Sequence, residues 1–129
     1  MRKFCLFFIL LAGPLFSVEI QKEQLKHWID TKKEMIIIDA RPVEYDDGER
    51  LPGAILIPYD TSEQELMSTL PKKDSVIVVY CTGPNCKASL FLAKALQKLG
   101  YKNIHEFRGG LEEWEKASYP IQKVAVSNS

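Results

Sequence analysis

Two cysteines, Cys81 and Cys86, lie between a continuous apolar run and a stretch with helical periodicity. The run Val76–Val79 is β-branched throughout, which is typical of a strand buried on both faces of a parallel sheet. Cys81 therefore follows a strand end, and the apolar residues of segment 88–99 recur at helical spacing. Ligands bind beyond such strand ends, where a helix N-terminus offers unpaired N–H groups and partial positive charge. A thiol at this position is expected to ionise easily.

Length and charge restrict the classes of function. The chain has 129 residues, 46% of them hydrophobic, which suits one globular domain with one core. Lysine and arginine together number 17, as do aspartate and glutamate, and the sequence has no basic block typical of nucleic-acid binding. We therefore expect no nucleic-acid partner.

Residues 1–17 have the pattern of a secretory signal peptide. Two basic residues precede an apolar run over residues 4–12, and turn residues close the run around Pro14. The run is too short to span a bilayer, which needs about 20 residues. We expect a cleaved signal, export to the periplasm or the exterior, no stable membrane span, and a single domain over residues 18–129 with a short polar C-terminal tail. Cys5 would leave with the signal, so that 15 basic residues, 17 acidic residues and two cysteines remain.

Strands and helices alternate along the rest of the chain. Besides the strand before Cys81, apolar runs predict strands at residues 18–20, 35–40, 54–57 and 103–107. Periodic stretches predict helices at residues 21–33, 61–70 and 88–99, with a last helix around Leu111 and Trp114. This alternation predicts an α/β fold, a small parallel sheet of four to five strands with helices on both faces.

Asp39 and Arg41 lie at the end of the apolar run over residues 35–40. These two side chains could serve catalysis, or they could pair with each other to hold the neighbouring loops. We favour pairing, because polar groups buried near loops usually satisfy one another. His27 falls on the polar side of the first helix, and His105 lies within a strand. Neither histidine is predicted to be catalytic, and their spacing predicts no metal site. We also expect no cofactor.

Three stretches resemble the rhodanese domain family. They are DARPVEYDDGERLPGAILIPYD from Asp39, VVYCTGPNCKAS followed by a helix, and FRGGLEEW from Phe107. The resemblance runs from roughly Gln21 to Ile121 and implies a rhodanese-like fold and a sulfurtransferase of the thiosulfate type. In that family the strand-end cysteine takes a sulfane sulfur from a small-molecule donor, forms a persulfide and passes the sulfur to an acceptor, which can be a protein thiol. By position, this catalytic residue is Cys81.

The resemblance also implies roles for the loop after Cys81. Its backbone N–H groups can bind the terminal sulfur of a persulfide or the oxyanion of a donor, and its last residue supplies a cation. The residues predicted to bind substrate are Thr82, Gly83, Pro84, Asn85, Cys86 and Lys87. Five residues separate Cys81 from Lys87, as in the wider loops of rhodanese-like phosphatases and arsenate reductases. Those loops end in arginine and usually follow a histidine, where this chain has Lys87 and Tyr80, so we rank these two activities lower.

Two roles are open for Cys86. It is either a small buried residue at the helix start or a resolving thiol, which attacks a Cys81 persulfide or forms a disulfide with Cys81. The loop permits the roughly 4.4 to 6.8 Å between Cα atoms that a disulfide requires. A bridge across so short a loop stabilises little, so we interpret the pair as reactive rather than structural. Two alternative hypotheses are a thiol-disulfide redox protein that uses both cysteines and a non-catalytic binding module.

Overall fold

The computed structural model describes residues 17–126. The predicted signal peptide lies outside the described residues except for Ser17, and so does the end of the polar tail. Within residues 17–126, no helix is long and apolar enough to cross a membrane.

All of the predicted helices and strands are present, together with two short strands that were not predicted. In chain order they are β1 (Val18–Glu19), α1 (Lys22–Asp30), β2 (Ile36–Asp39), β3 (Glu49–Arg50), β4 (Ile55–Leu56), α2 (Glu63–Thr69), β5 (Ile77–Tyr80), α3 (Ala88–Lys98), β6 (Ile104–Phe107), α4 (Gly110–Lys116) and β7 (Gln122–Lys123). Five of the strands form one parallel sheet in the order β1-β6-β5-β2-β4. The predicted α/β fold with a small parallel sheet is thereby confirmed.

Each face of the sheet carries its own apolar core. Ile38 and Val79 pack with α2 and α3 on one face, whereas Ile37 and Val78 pack with α1 and α4 on the other. Because successive strand residues point to opposite faces, the continuous apolar runs are buried on both sides. Cys81 belongs to the core on the α2 and α3 side.

A second, antiparallel ladder was not predicted from the sequence. The strands β3 and β7 pair there, and the Val124 N–H donates to the Gly48 carbonyl at 2.8 Å. Gly48 has a φ of +81°, and a Cβ at this position would lie 2.5 Å from the Val124 carbonyl oxygen. Two-residue strands of charged and polar residues have no apolar alternation, so periodicity does not indicate them.

The start of α4 holds the backbone of the loop that begins at Cys81. The Leu111 N–H donates to the Cys81 carbonyl at 3.0 Å, and the Glu112 N–H donates to the Thr82 carbonyl at 2.8 Å. Gly110 has a φ of +62°, and a Cβ there would lie 2.5 Å from the Cys81 carbonyl oxygen and 2.7 Å from the Gly83 nitrogen. The helix can therefore approach this closely only with glycine at position 110.

The substitution Gly110→Ala should lower the free energy of unfolding by about 2 to 4 kcal/mol, because it combines an unfavourable backbone angle with a clash against the loop. Gly53 is the matched control: its φ is +78°, but among residues 17–126 no non-neighbouring atom lies within 4 Å of a Cβ placed there. Gly53→Ala should therefore cost only about 1 to 2 kcal/mol in urea unfolding. Equal losses for the two variants would contradict the close packing of α4 on the loop.

Candidate functional site

Cys81 follows the central strand of the five-stranded sheet. The strand β5 lies between β6 and β2, and its last residue, Tyr80, pairs in register with Asp39 on one side and Phe107 on the other. Because neighbouring parallel strands end at the same edge, the segments that follow β2, β5 and β6 meet there. The structure thus places Cys81 at the carboxyl rim of the sheet, where ligands bind in folds of this kind.

A disulfide joins Cys81 to Cys86. The two Cα atoms are 6.3 Å apart, within the range of roughly 4.4 to 6.8 Å that a disulfide requires. The two cysteines differ in exposure: Cys81 is only 1% exposed, whereas Cys86 is partly exposed and packs at the border of the same core. The structure thus shows the disulfide with Cys81 that the sequence left open for Cys86.

The neighbours of the Cys81 sulfur are two oxygen atoms as well as the bridging sulfur. Sγ lies 3.4 Å from the Cys86 carbonyl oxygen and 3.6 Å from the Ser89 hydroxyl oxygen. The Cys86 N–H donates to the Gly83 carbonyl at 3.0 Å. In the bridged form this amide therefore closes a turn within the loop and does not contribute to the predicted anion cradle.

The other residues predicted to bind substrate form this turn or flank it. Thr82, Pro84, Asn85 and Lys87 are exposed, and Gly83 is buried. Lys87 occupies the N-cap position of α3, and its side chain makes no capping hydrogen bond. The first N–H groups of α3 therefore lie at the end of the loop without a cap from Lys87.

Ser89 and Glu106 are buried polar residues that the sequence analysis did not single out. The Ser89 hydroxyl donates to Glu106 Oε1 at 3.4 Å, and Arg108 Nε lies 3.6 Å from the same carboxylate oxygen. Ser89 thus lies between a buried carboxylate and the Cys81 sulfur. The sequence does hold a signal for Glu106, because it is a charged residue inside the strand segment IHEF, whose apolar pattern favours burial.

Asp39 and Arg41 form a buried ion pair in which Arg41 Nη2 lies 2.8 Å from Asp39 Oδ2. The guanidinium also donates to the carbonyls of Glu49 at 2.8 Å and Tyr45 at 3.2 Å. Burial alone would lower the pKa of Arg41, but hydrogen bonds and attraction from Asp39 raise that pKa above its ordinary value. The pair therefore holds the loop from Tyr45 to Glu49, in line with the pairing that we favoured.

Tyr80 extends the network of the ion pair on the α1 and α4 side of the sheet. Its hydroxyl donates to Asp39 Oδ2 at 3.2 Å and accepts from the Leu51 N–H at 3.1 Å. Burial and the neighbouring Asp39 carboxylate raise the pKa of Tyr80 well above its usual range. Because Tyr80 and Cys81 are adjacent and point to opposite faces, this network lies across the sheet from the cysteine sulfur.

A surface pocket of about 390 Å³ opens beside Cys86. Aromatic rings form much of its wall, with Tyr59 and Phe91 at a centroid distance of 6.0 Å, and Tyr45 completing the rim. Tyr45 is 68% exposed and Phe91 is 50% exposed. Cys86 and Lys87 line this aromatic pocket, whereas Cys81 does not.

A larger hollow of about 550 Å³ lies at the opposite edge of the sheet. It is bounded by the residues just before β2 and β5, such as Met35 and Val76, and its lining contains no cysteine or histidine. Since it lies at the amino ends of the strands, it is separate from the cysteine loop.

Neither histidine joins the site. His27 is exposed on α1, and His105 packs edge-on against the Trp28 ring at a centroid distance of 5.0 Å. Burial and the charge of Lys33 lower the pKa of His105. Within residues 17–126, no group of three or more His, Cys, Asp or Glu side chains is placed to hold a metal ion.

Comparisons with known proteins match the domain by both sequence and structure. A family model described as a rhodanese-like domain matches residues 21–117. The adenylyltransferase and sulfurtransferase UBA4 of Candida albicans is 34% identical over 93 residues, which are 67% of this chain and 20% of that protein. The dual specificity phosphatase ibp1 of Schizosaccharomyces pombe is 38% identical over 87 residues, 60% of each chain.

A solved structure shows the same fold. The crystal structure of the BH2092 protein from Bacillus halodurans is similar to this chain with a TM-score of 0.75 and 29% sequence identity. The match covers 83% of this chain and 77% of the other. By contrast, the chain spans only 20% of the length of the Candida relative, so it corresponds to one region of that protein.

Arg41→Ala should lower the free energy of unfolding by about 3 to 5 kcal/mol, because it leaves the buried Asp39 carboxylate without its partner. The surface pair of Lys26 with Asp30 on α1 is the control. Lys26→Ala should lower the free energy by less than about 1 kcal/mol, because solvent screens an exposed ion pair. Urea unfolding of both variants measures the difference, and a small loss for Arg41→Ala would show that Asp39 finds other partners.

Proposed function

The chain belongs to the rhodanese-like domain family, and we propose that it is a sulfurtransferase that carries a sulfane sulfur on Cys81 as a persulfide. The position of Cys81 carries this proposal: it follows the central strand and begins the loop that leads into the N-terminus of α3. That placement favours the thiolate, which is the nucleophilic form of a cysteine. The sulfurtransferase name of the Candida relative supports the same reaction class.

With thiosulfate as the donor, the reaction has two displacement steps. The Cys81 thiolate attacks the outer sulfur of thiosulfate, a new S–S bond forms at Cys81, and the sulfite group leaves with the electron pair of the broken S–S bond. An acceptor thiolate then attacks the terminal sulfur, and Cys81 leaves as a thiolate. Each step exchanges one S–S bond for another, so no external oxidant or reductant takes part.

The loop after Cys81 would bind the anionic groups of the donor. Lys87 is exposed at the start of α3, where its ammonium group and the unpaired N–H groups of the helix favour negative charge. The acceptor is proposed to be a small thiol or a protein thiol. Since a bridged Cys81 has no thiolate, the disulfide with Cys86 must be reduced before the first step.

Phosphatase or arsenate reductase activity is less favoured, although the relative from Schizosaccharomyces pombe is named a phosphatase. A phosphoryl transition state gains from a guanidinium that binds two oxygens at once, and the loop ends instead in Lys87. The residue before Cys81 is Tyr80, whose hydroxyl is bound to Asp39 and Leu51 on the opposite face. It therefore offers no group to the cysteine loop.

A second candidate function is thiol-disulfide exchange, and the observed Cys81–Cys86 bridge favours it. In that case both cysteines are needed, because each provides one sulfur of the redox couple. Sulfur transfer through Cys81 alone should instead tolerate the loss of Cys86. The activity of Cys86→Ser therefore distinguishes the two functions, because this variant should lose thiol-disulfide exchange and keep sulfur transfer.

We also propose that the protein works outside the cytoplasm, on the pattern of its first 17 residues. Intact mass measurement of the protein recovered from the periplasm or medium would test export, and a protein that keeps residues 1–17 and stays in the cytoplasm would contradict it. In an oxidising compartment, a partner must supply the reducing thiols that open the bridge.

The reduced protein, incubated with thiosulfate, should gain the mass of one sulfur atom in intact mass spectrometry. Cys81→Ser should gain none, because the carrier sulfur is absent, and Cys86→Ser should gain sulfur as the native chain does. Steady-state transfer of sulfur to cyanide or a thiol should likewise be lost in Cys81→Ser and retained in Cys86→Ser. A native chain that takes up no sulfur, or equal uptake by Cys81→Ser, would contradict the proposal.

A further inference from the structure

We propose that a partner thiol opens the Cys81–Cys86 bridge by attack on Cys86, which it reaches through the aromatic pocket. The observation behind this assignment is the unequal exposure of the two sulfur-bearing residues. Cys81 is 1% exposed and lies in the apolar core, whereas Cys86 lines the pocket formed with Tyr45, Tyr59 and Phe91. The inference rests on the proposed function only in that opening the bridge frees Cys81 to carry sulfur.

Access decides which sulfur of a disulfide is attacked when the two are otherwise comparable. A thiolate approaches along the S–S axis, from the side away from the leaving sulfur. Approach to Cys81 is restricted, because the residue is 1% exposed, its sulfur contacts the Cys86 carbonyl at 3.4 Å and the Ser89 hydroxyl at 3.6 Å, and it lies in the core against α3. Around Cys86 the pocket of about 390 Å³ is open to solvent.

The lining of the pocket indicates what kind of thiol fits. Its walls are mainly aromatic and aliphatic groups, and Tyr45 and Phe91 leave much of their surface exposed. The charged group beside Cys86 is the Lys87 ammonium, which favours a thiolate over a thiol. We therefore infer that the partner is a polypeptide cysteine flanked by apolar side chains. Such side chains would cover the rings of Tyr45 and Phe91, which a small polar thiol would leave exposed to water.

The exchange proceeds in two balanced steps. The partner thiolate attacks Cys86 Sγ and forms a mixed disulfide, while the Cys81–Cys86 bond breaks and its electron pair leaves with Cys81 as a thiolate. A second partner thiolate then attacks the partner sulfur of the mixed disulfide, which releases the oxidised partner and the Cys86 thiolate. Two partner thiols thus supply the two electrons, and the freed Cys81 can accept sulfur.

The site of attack can be mapped on the oxidised full chain. The probe is a synthetic peptide with one cysteine between leucine and phenylalanine, mixed with the protein and quenched with acid at short times, followed by alkylation of free thiols. Trypsin releases both cysteines in the peptide Asp74–Lys87, and fragmentation at Pro84 and Asn85 separates them. We expect the probe on Cys86 and the alkyl group on Cys81; the reverse pattern would overturn the proposal.

A kinetic comparison tests the same proposal when the mixed disulfide is too short-lived to trap. Phe91→Ala removes one wall of the pocket, and Met67→Ala removes an exposed apolar side chain of α2 that does not line it. Bridge opening by the leucine-phenylalanine probe should slow by about threefold or more in Phe91→Ala and stay unchanged in Met67→Ala. Equal rates in the two variants would overturn the role of the pocket.

Both measurements follow the bridge in the absence of any sulfur donor. Attack at Cys86 together with no uptake of sulfur from thiosulfate would therefore reject the sulfurtransferase function and leave the opening mechanism in place. Uptake of sulfur by the reduced protein together with attack at Cys81 would reject only the opening mechanism. The two proposals can thus fail separately.

Discussion

The geometry of the site depends on the close approach of α4 to the backbone after β5. Two N–H groups at the start of this helix donate to the carbonyls of Cys81 and Thr82, so the loop is held by main-chain bonds that do not depend on side-chain identity. Gly110 permits the approach, because any Cβ at that position would meet the loop backbone. The exposed loop residues can therefore vary while the position of Cys81 at the sheet rim is kept.

Much of the fold could be predicted from the sequence because its strands are continuous apolar runs. Runs such as Ile36–Ile38 and Ile77–Val79 are buried on both faces, and parallel strands joined by helices are the arrangement that buries them. The start of α2 carries a local signal as well, because Ser62 is its N-cap and the serine hydroxyl accepts from the Glu65 N–H. The β3–β7 ladder escaped prediction because its pairing joins residues about 70 positions apart without an apolar pattern.

The candidate site was only partly predictable. The order of strand, cysteine and helix located Cys81, but the bridge to Cys86 required the loop conformation that brings the two residues together. Phe91 and Tyr45 form the pocket although they are far apart in the chain, and Phe91 is half exposed although it is one of the apolar residues that recur along α3. Ser89 and Glu106 likewise meet only when α3 packs on β6. Contacts between distant segments are set by packing, which local pattern does not contain.

The position of the Asp39–Arg41 pair across the sheet from Cys81 has a consequence for how this domain can change over time. The buried charges lie on one face of the sheet and the cysteine sulfur on the other. Contacts between the two faces, such as those from α4 to the carbonyls of Cys81 and Thr82 and from Arg41 to the carbonyl of Tyr45, end on main-chain oxygens that do not depend on side-chain identity. Substitutions without shared contacts tend to act additively. A lineage could therefore alter its reacting loop and its recognition surface while the opposite layer preserves thermal stability, so that new specificities need not arise at the expense of a folded protein.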